Sequence, residues 1–130
     1  MKGNPENSLD WKKIAEADFL KSQEDIALGK SSYGLFWLQQ ASEKALKSRL
    51  IQTGWALQKT HDLMALTNQL QSKDFDLGFF EATAIRLTDL YFSERYVTAD
   101  DDPAPDEKEV NQLSKDVLKL FKILFPEKTL

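Results

Sequence analysis

The sequence predicts an all-α fold, an antiparallel up-and-down bundle of about five helices, and three observations carry that prediction. Apolar residues recur at intervals of three and four along five separate segments, the spacing that lines one face of a helix. No stretch of Val, Ile, Thr and aromatic residues alternates with period two, so strands are not expected. The connections between segments are short apart from one, and short connections make successive helices antiparallel neighbours. With 130 residues and 42% hydrophobic content, the chain can bury one sizeable core and not two.

Residues 1–8 read as a polar leader, because Gly3, Asn4, Pro5 and Asn7 all disfavour regular structure. Ser8 or Asp10 is expected to cap a first helix running to about Leu28. Trp11, Ala15, Phe19, Ser22 and Ile26 form its stripe, and Asp18 lies beside them. Gly29 can take the left-handed backbone conformation and is the expected stop.

Residues 33–51, YGLFWLQQASEKALKSRLI, form the central helix, with Ser31 or Ser32 as its cap and Gly54 as its end. Its first half, Tyr33, Leu35, Phe36, Trp37 and Leu38, is apolar on most sides, which predicts neighbours on more than one side. A polar line also runs along it. Gln40, Lys44 and Lys47 step by four and three onto one face, flanked by Gln39 and Glu43.

Thr60 is expected to cap a third helix, with Asp62 in the first turn and Leu63, Leu66 and Leu70 as its apolar line. Asp74 or Asp76 opens a fourth, in which Leu77, Phe80, Ala84, Leu87 and Tyr91 repeat until about Glu94. RYVTADDDPAPDE reads as a loop. Pro105 suits the first turn of a last helix, whose apolar positions are Val110, Leu113, Val117, Leu120 and Leu124 and which Pro126 closes. The helical domain thus spans residues 9–125, with 126–130 as a tail.

The chemistry on offer is narrow. The absence of cysteine excludes disulfides, thiolate chemistry and Cys-rich zinc sites, and fits a reducing, cytoplasmic compartment. His61 is the sole histidine, so one chain cannot build a metal site on paired histidines. No metal or other cofactor is expected. The five glycines form no phosphate-cradling pattern. Asp100, Asp101 and Asp102 do not begin a calcium loop, since Pro105 stands at the turn glycine and Asn111 at the bidentate glutamate. A net charge of −4 disfavours bulk attraction to polyanions, and no apolar run is long enough to span a bilayer. The N-terminus lacks the apolar stretch of a secretory signal.

Two readings of His61 stand open: a capping segment whose imidazole bonds a backbone carbonyl, or a polar pocket facing the central seam. Asp18 is expected to find a cation, Lys44 or Arg95, because an unpaired buried carboxylate is costly. Trp11, Phe36, Trp37, Phe80, Tyr91 and Phe121 fall on the helical stripes and are expected in the core. Trp55, Phe79 and Phe92 fit the stripes less well; exposed together, they would mark an interface with a second copy.

Taken in order, Trp11, Ala15, Asp18-Phe19, Tyr33, Gln39-Gln40-Ala41-x-Glu43-Lys44-Ala45-Leu46-Lys47, Thr60-His61-Asp62-Leu63 and Arg95-Tyr96 resemble the HEPN domain family over residues 9–125. QQAxEKALK is the most specific part. The resemblance implies a compact helical bundle, commonly a homodimer, that in small prokaryotic members works beside a separately encoded minimal nucleotidyltransferase in toxin–antitoxin pairs. Many members are metal-independent ribonucleases with an R-x4-6-H motif, in which the arginine steadies phosphate and the histidine serves acid–base cleavage. Arg95 matches the arginine, but Asp100, Asp101 and Asp102 occupy the histidine positions. An aspartate there is anionic and repels phosphate. The leading expectation is therefore a dimeric subunit that binds a nucleotidyltransferase partner, and nucleotide or RNA through Gln40, Lys44, Lys47 and Arg95. A first alternative is a ribonuclease in which Arg95 works with an aspartate or with His61. A second is a purely structural dimer.

Overall fold

The computed structural model describes residues 7–54, 59–96 and 105–126, apart from the side chains of 93–96. Five α-helices follow in order: α1 Ser8–Ala27, α2 Ser31–Gln52, α3 Leu63–Gln71, α4 Glu81–Tyr96 and α5 Glu107–Leu124. A single 3₁₀ turn, Gly78–Phe80, precedes α4. No strand occurs among the described residues, and the fold is the all-α bundle expected.

The caps explain where each helix starts, and they differ from the expected ones. Asn7, not Ser8 or Asp10, opens α1, its side chain accepting from the Leu9 N–H at 2.9 Å. Asparagine does this as well as serine, and it stands one residue earlier. Gly29, at φ +77°, closes α1 as predicted. The turn is so tight that Lys30 occupies the cap position of α2 without a side-chain cap bond, and Ser31 is already helical. Asp62 rather than Thr60 caps α3, accepting from Met64 N–H at 3.0 Å and Ala65 N–H at 3.3 Å. Thr60 instead supports Asp62, its Oγ1 accepting from the Asp62 N–H.

Neither Asp74 nor Asp76 opens α4. Asp74 turns the chain at φ +71°, and the helix begins only after the 3₁₀ turn. Asp106 caps α5 through the Glu109 N–H at 2.8 Å, which leaves Pro105 outside the helix and ahead of its cap.

The α1–α2 hairpin is antiparallel in register: Ser48 bonds the Ser8 carbonyl, Lys44 meets Asp18, and Gly34 abuts Ile26. A Cβ on Gly34 would lie 2.5 Å from Ile26 Cγ1 and 3.2 Å from the Ser22 carbonyl oxygen, so the two helices touch there because the side chain is missing. Helix α2 contacts all four other α-helices. Its most enclosed part is the second half, where Ala41, Ser42, Ala45, Leu46, Ser48 and Leu50 are buried. In the first half Leu35 and Leu38 are buried, but Tyr33 is 65% exposed, so that half is covered on fewer sides than expected. The apolar lines of the other helices behave as their spacing demands. Leu63, Leu66 and Leu70 of α3, Ala84 and Leu87 of α4, and Val110, Val117 and Leu120 of α5 close on α2 in one core.

Of the aromatic residues expected inside, Phe80, Tyr91 and Phe121 are buried, while Trp11, Phe36 and Trp37 are half-buried. Phe79 packs partly buried against the core and Phe92 is exposed, so those two do not form one exposed face; Trp55 lies outside the described residues. Arg86 forks onto Glu109 at 2.9 and 3.2 Å and ties α4 to α5. No helix among the described residues is long and apolar enough to cross a membrane.

Candidate functional site

Glu43 is the centre of a buried polar network on α2. Gln39, Glu43 and Lys47 follow one another at intervals of four, so their side chains stack along one helix face. All three are buried. The Glu43 carboxylate uses both oxygens. Oε2 accepts from Lys47 Nζ at 2.9 Å, while Oε1 accepts from Gln39 Nε2 at 3.3 Å and contacts His61 Nδ1 at 2.8 Å. A carboxylate and an ammonium buried together must pair, because each alone would lose its hydration without compensation. Gln39 Nε2 also donates to the His61 carbonyl at 3.1 Å, which fixes the approach to α3 against α2.

These contacts settle the histidine's geometry. The cap at Asp62 places His61 immediately before α3, with its imidazole on the seam rather than on a backbone carbonyl. An ionised carboxylate has no proton to give, so the 2.8 Å contact puts the hydrogen on Nδ1. When the ring is neutral, Nε2 is then the nitrogen with the lone pair. The imidazole side chain is 46% exposed whereas Glu43 is 5% exposed, so the carboxylate works from the protein side and the ring reaches solvent. Tyr91 of α4 packs on the ring at 5.2 Å. Tyr91 in turn stacks on Phe36 at 5.8 Å, and Phe36 meets Trp37 edge-on at 5.1 Å.

The nominated residues separate into groups. Lys47 and His61 meet through Glu43, and Gln40 joins them through Gln39, donating to its Oε1 at 2.6 Å. Lys44 points elsewhere, to Asp18 of α1 at 2.7 Å, which resolves the choice between Lys44 and Arg95 for that carboxylate. Arg95 stands in the last turn of α4, four residues beyond Tyr91, and its side chain lies outside the description. Asp100, Asp101 and Asp102 also lie outside the described residues. Among the described residues no group of three His, Cys, Asp or Glu side chains is placed to hold a metal.

Glu43 is the residue that sequence reasoning undervalued. Choosing Gln40, Lys44 and Lys47 follows one helical face, whereas the buried polar line is Gln39, Glu43, Lys47. A strict i, i+4 step of amide, acid and base was the available signal.

The chain finds no significant match among curated proteins or among solved structures. The model of the HEPN domain matches residues 8–128, nearly its whole length. With that match over a five-helix bundle whose α2 carries the QQAxEKALK segment, the chain belongs to the HEPN domain family.

Proposed function

We propose that this chain is a dimeric HEPN subunit that works beside a nucleotidyltransferase-type partner, in a toxin–antitoxin-type role, and that contacts nucleotide or RNA at the outer edge of its polar seam. The observation that carries the reading is the internal neutralisation of the seam. Lys47 is spent on Glu43 and Lys44 on Asp18, so neither ammonium stands free as a phosphate grip. With a net charge of −4 as well, strong capture of a polyanion by this chain alone is disfavoured. Contact between proteins fits the surface better. Leu28 and Tyr33, on either side of the α1–α2 turn, are 69% and 65% exposed, and large apolar side chains in that state favour a protein neighbour. Ligand contact then falls to the half-buried Gln40, to the exposed His61 and to Arg95.

The test has three arms. Light scattering after size exclusion reads the oligomeric state. Pull-down with a minimal nucleotidyltransferase reads the partner, and thermal-shift and fluorescence titrations with nucleotides and a short RNA read the ligand. A dimer that captures the partner and shows saturable ligand binding is the expected result; a monomer blank in the other two arms overturns the reading. The second reading, a ribonuclease with a degenerate motif, is favoured by one observation: the Glu43–His61 pair with its outward imidazole.

A further inference from the structure

We propose that two copies of this chain pair through the outer face of α1, antiparallel about a two-fold axis; the inference rests on the dimer proposed above and assigns its interface. Ala15, Asp18, Phe19 and Ser22 are the buried side of α1. On the opposite side Leu9, Lys13, Ala17, Leu20 and Glu24, with Leu28 just past the helix end, follow at steps of four, four, three, four and four. All six are exposed. At the pitch of an α-helix they stay within about 100° of the circumference, so they form one strip. Leu9, Leu20 and Leu28 are 50%, 55% and 69% exposed. Single leucines on a surface are ordinary, but three on one line fit a helix laid along it.

The order of residues names the occupant. Read in reverse, the strip has the same steps, and each position meets a complement. Leu9 falls opposite the second copy's Leu28, Lys13 opposite its Glu24, and Ala17 opposite its Leu20. The two-fold axis repeats every pairing, so apolar layers fill the centre and both ends, and an oppositely charged layer lies on each side of the centre. An interface between identical copies needs this self-complementarity. Lys13 and Glu24 form no side-chain hydrogen bond or ion pair among the described residues, so both charges are free to pair across it. Their role is to fix direction and register. A parallel pairing would set Lys13 on Lys13 and Glu24 on Glu24. The exposed line of α4, Ile85, Asp89 and Phe92, lacks this property. Setting Ile85 against the second copy's Phe92 brings the two Asp89 carboxylates together.

The experiment is sedimentation equilibrium of the full chain across a concentration series, with circular dichroism to show that each variant keeps its helices. The expected result is a reversible dimer. Lys13→Glu and Glu24→Lys should each weaken it about tenfold or more, because both charged layers become repulsive. An equimolar mixture of those two variants should associate as tightly as the unaltered chain, since every charged layer is again opposite in sign. Leu20→Asp, which places carboxylates beside the central Ala17 positions, should leave a monomer. A dimer indifferent to all three substitutions overturns the α1 interface while sustaining the dimer itself. Weakening that the mixture does not reverse also overturns it. If Leu20→Asp abolishes capture of a nucleotidyltransferase and leaves the dimer intact, the face belongs to that protein and self-pairing is overturned. A monomer at every concentration removes the inference and the dimer together.

Discussion

Neutralising Glu43 by Glu43→Gln tests whether the seam holds the bundle together. The substitution keeps side-chain size and one carbonyl acceptor but removes the charge that Lys47 and His61 both face. Lys47 and Glu43 are 6% and 5% exposed, so water cannot replace the lost partner. Removing one member of a buried pair costs about 3–5 kcal/mol, because the remaining ion is left uncompensated. Native domains are stable by only about 5–15 kcal/mol, so the loss is a large share of the whole. At about 2–5 °C per kcal/mol for a domain of this size, the melting temperature should fall by roughly 10–20 °C. Urea unfolding followed by circular dichroism gives the free energy directly. The double variant Glu43→Gln/Lys47→Met removes both charges and should recover about 1–3 kcal/mol relative to the sum of the single variants. A loss below about 1 kcal/mol for Glu43→Gln, or strict additivity in the cycle, would refute the account of a mutually dependent buried network.

Lys44→Ala should cost about 1 kcal/mol in thermal or urea unfolding, less than Glu43→Gln, because Lys44 and Asp18 are 19% and 12% exposed and water screens them in part. If it also weakens nucleotide binding, the seam is a ligand wall; if only stability moves, Lys44 is a structural tie between α1 and α2. Gly34→Ala should destabilise the fold by about 1–3 kcal/mol in urea unfolding, even though alanine favours helix, since its Cβ would press on Ile26 and on the Ser22 carbonyl oxygen. Asp62→Ala should cost about 1 kcal/mol through the lost cap of α3, and hydrogen exchange should show it first at Met64 and Ala65, whose N–H groups lose their acceptor.

The helices and their buried faces were legible because local spacing determines them. Ala15 and Phe19 of α1, Leu66 and Leu70 of α3, and Val117 and Leu120 of α5 are buried where a 3.6-residue period places them. Caps were legible in kind but not in position. Asn7, Asp62 and Asp106 are all residues suited to the role, yet neighbouring Ser8, Thr60 and Pro105 were equally plausible until the chain's path was known. Gly29 was unambiguous, since its φ of +77° is open to glycine at no steric cost.

The site divides along the same line. Sequence by itself determined that one histidine exists, that it lies near the start of α3, and that Gln39, Glu43 and Lys47 share a face of α2; these are matters of count and of helical step. It could not decide which of two adjacent polar lines turns inward. Only the packing of α1, α3 and α4 around α2 buries Glu43 with Lys47, sends Lys44 outward to Asp18, and sets the His61 imidazole between Glu43 and Tyr91. Glu43 and His61 are 18 residues apart, a separation that no local preference bridges. Their meeting is produced by the free energy of closing a common core, and the histidine's tautomer follows from that meeting.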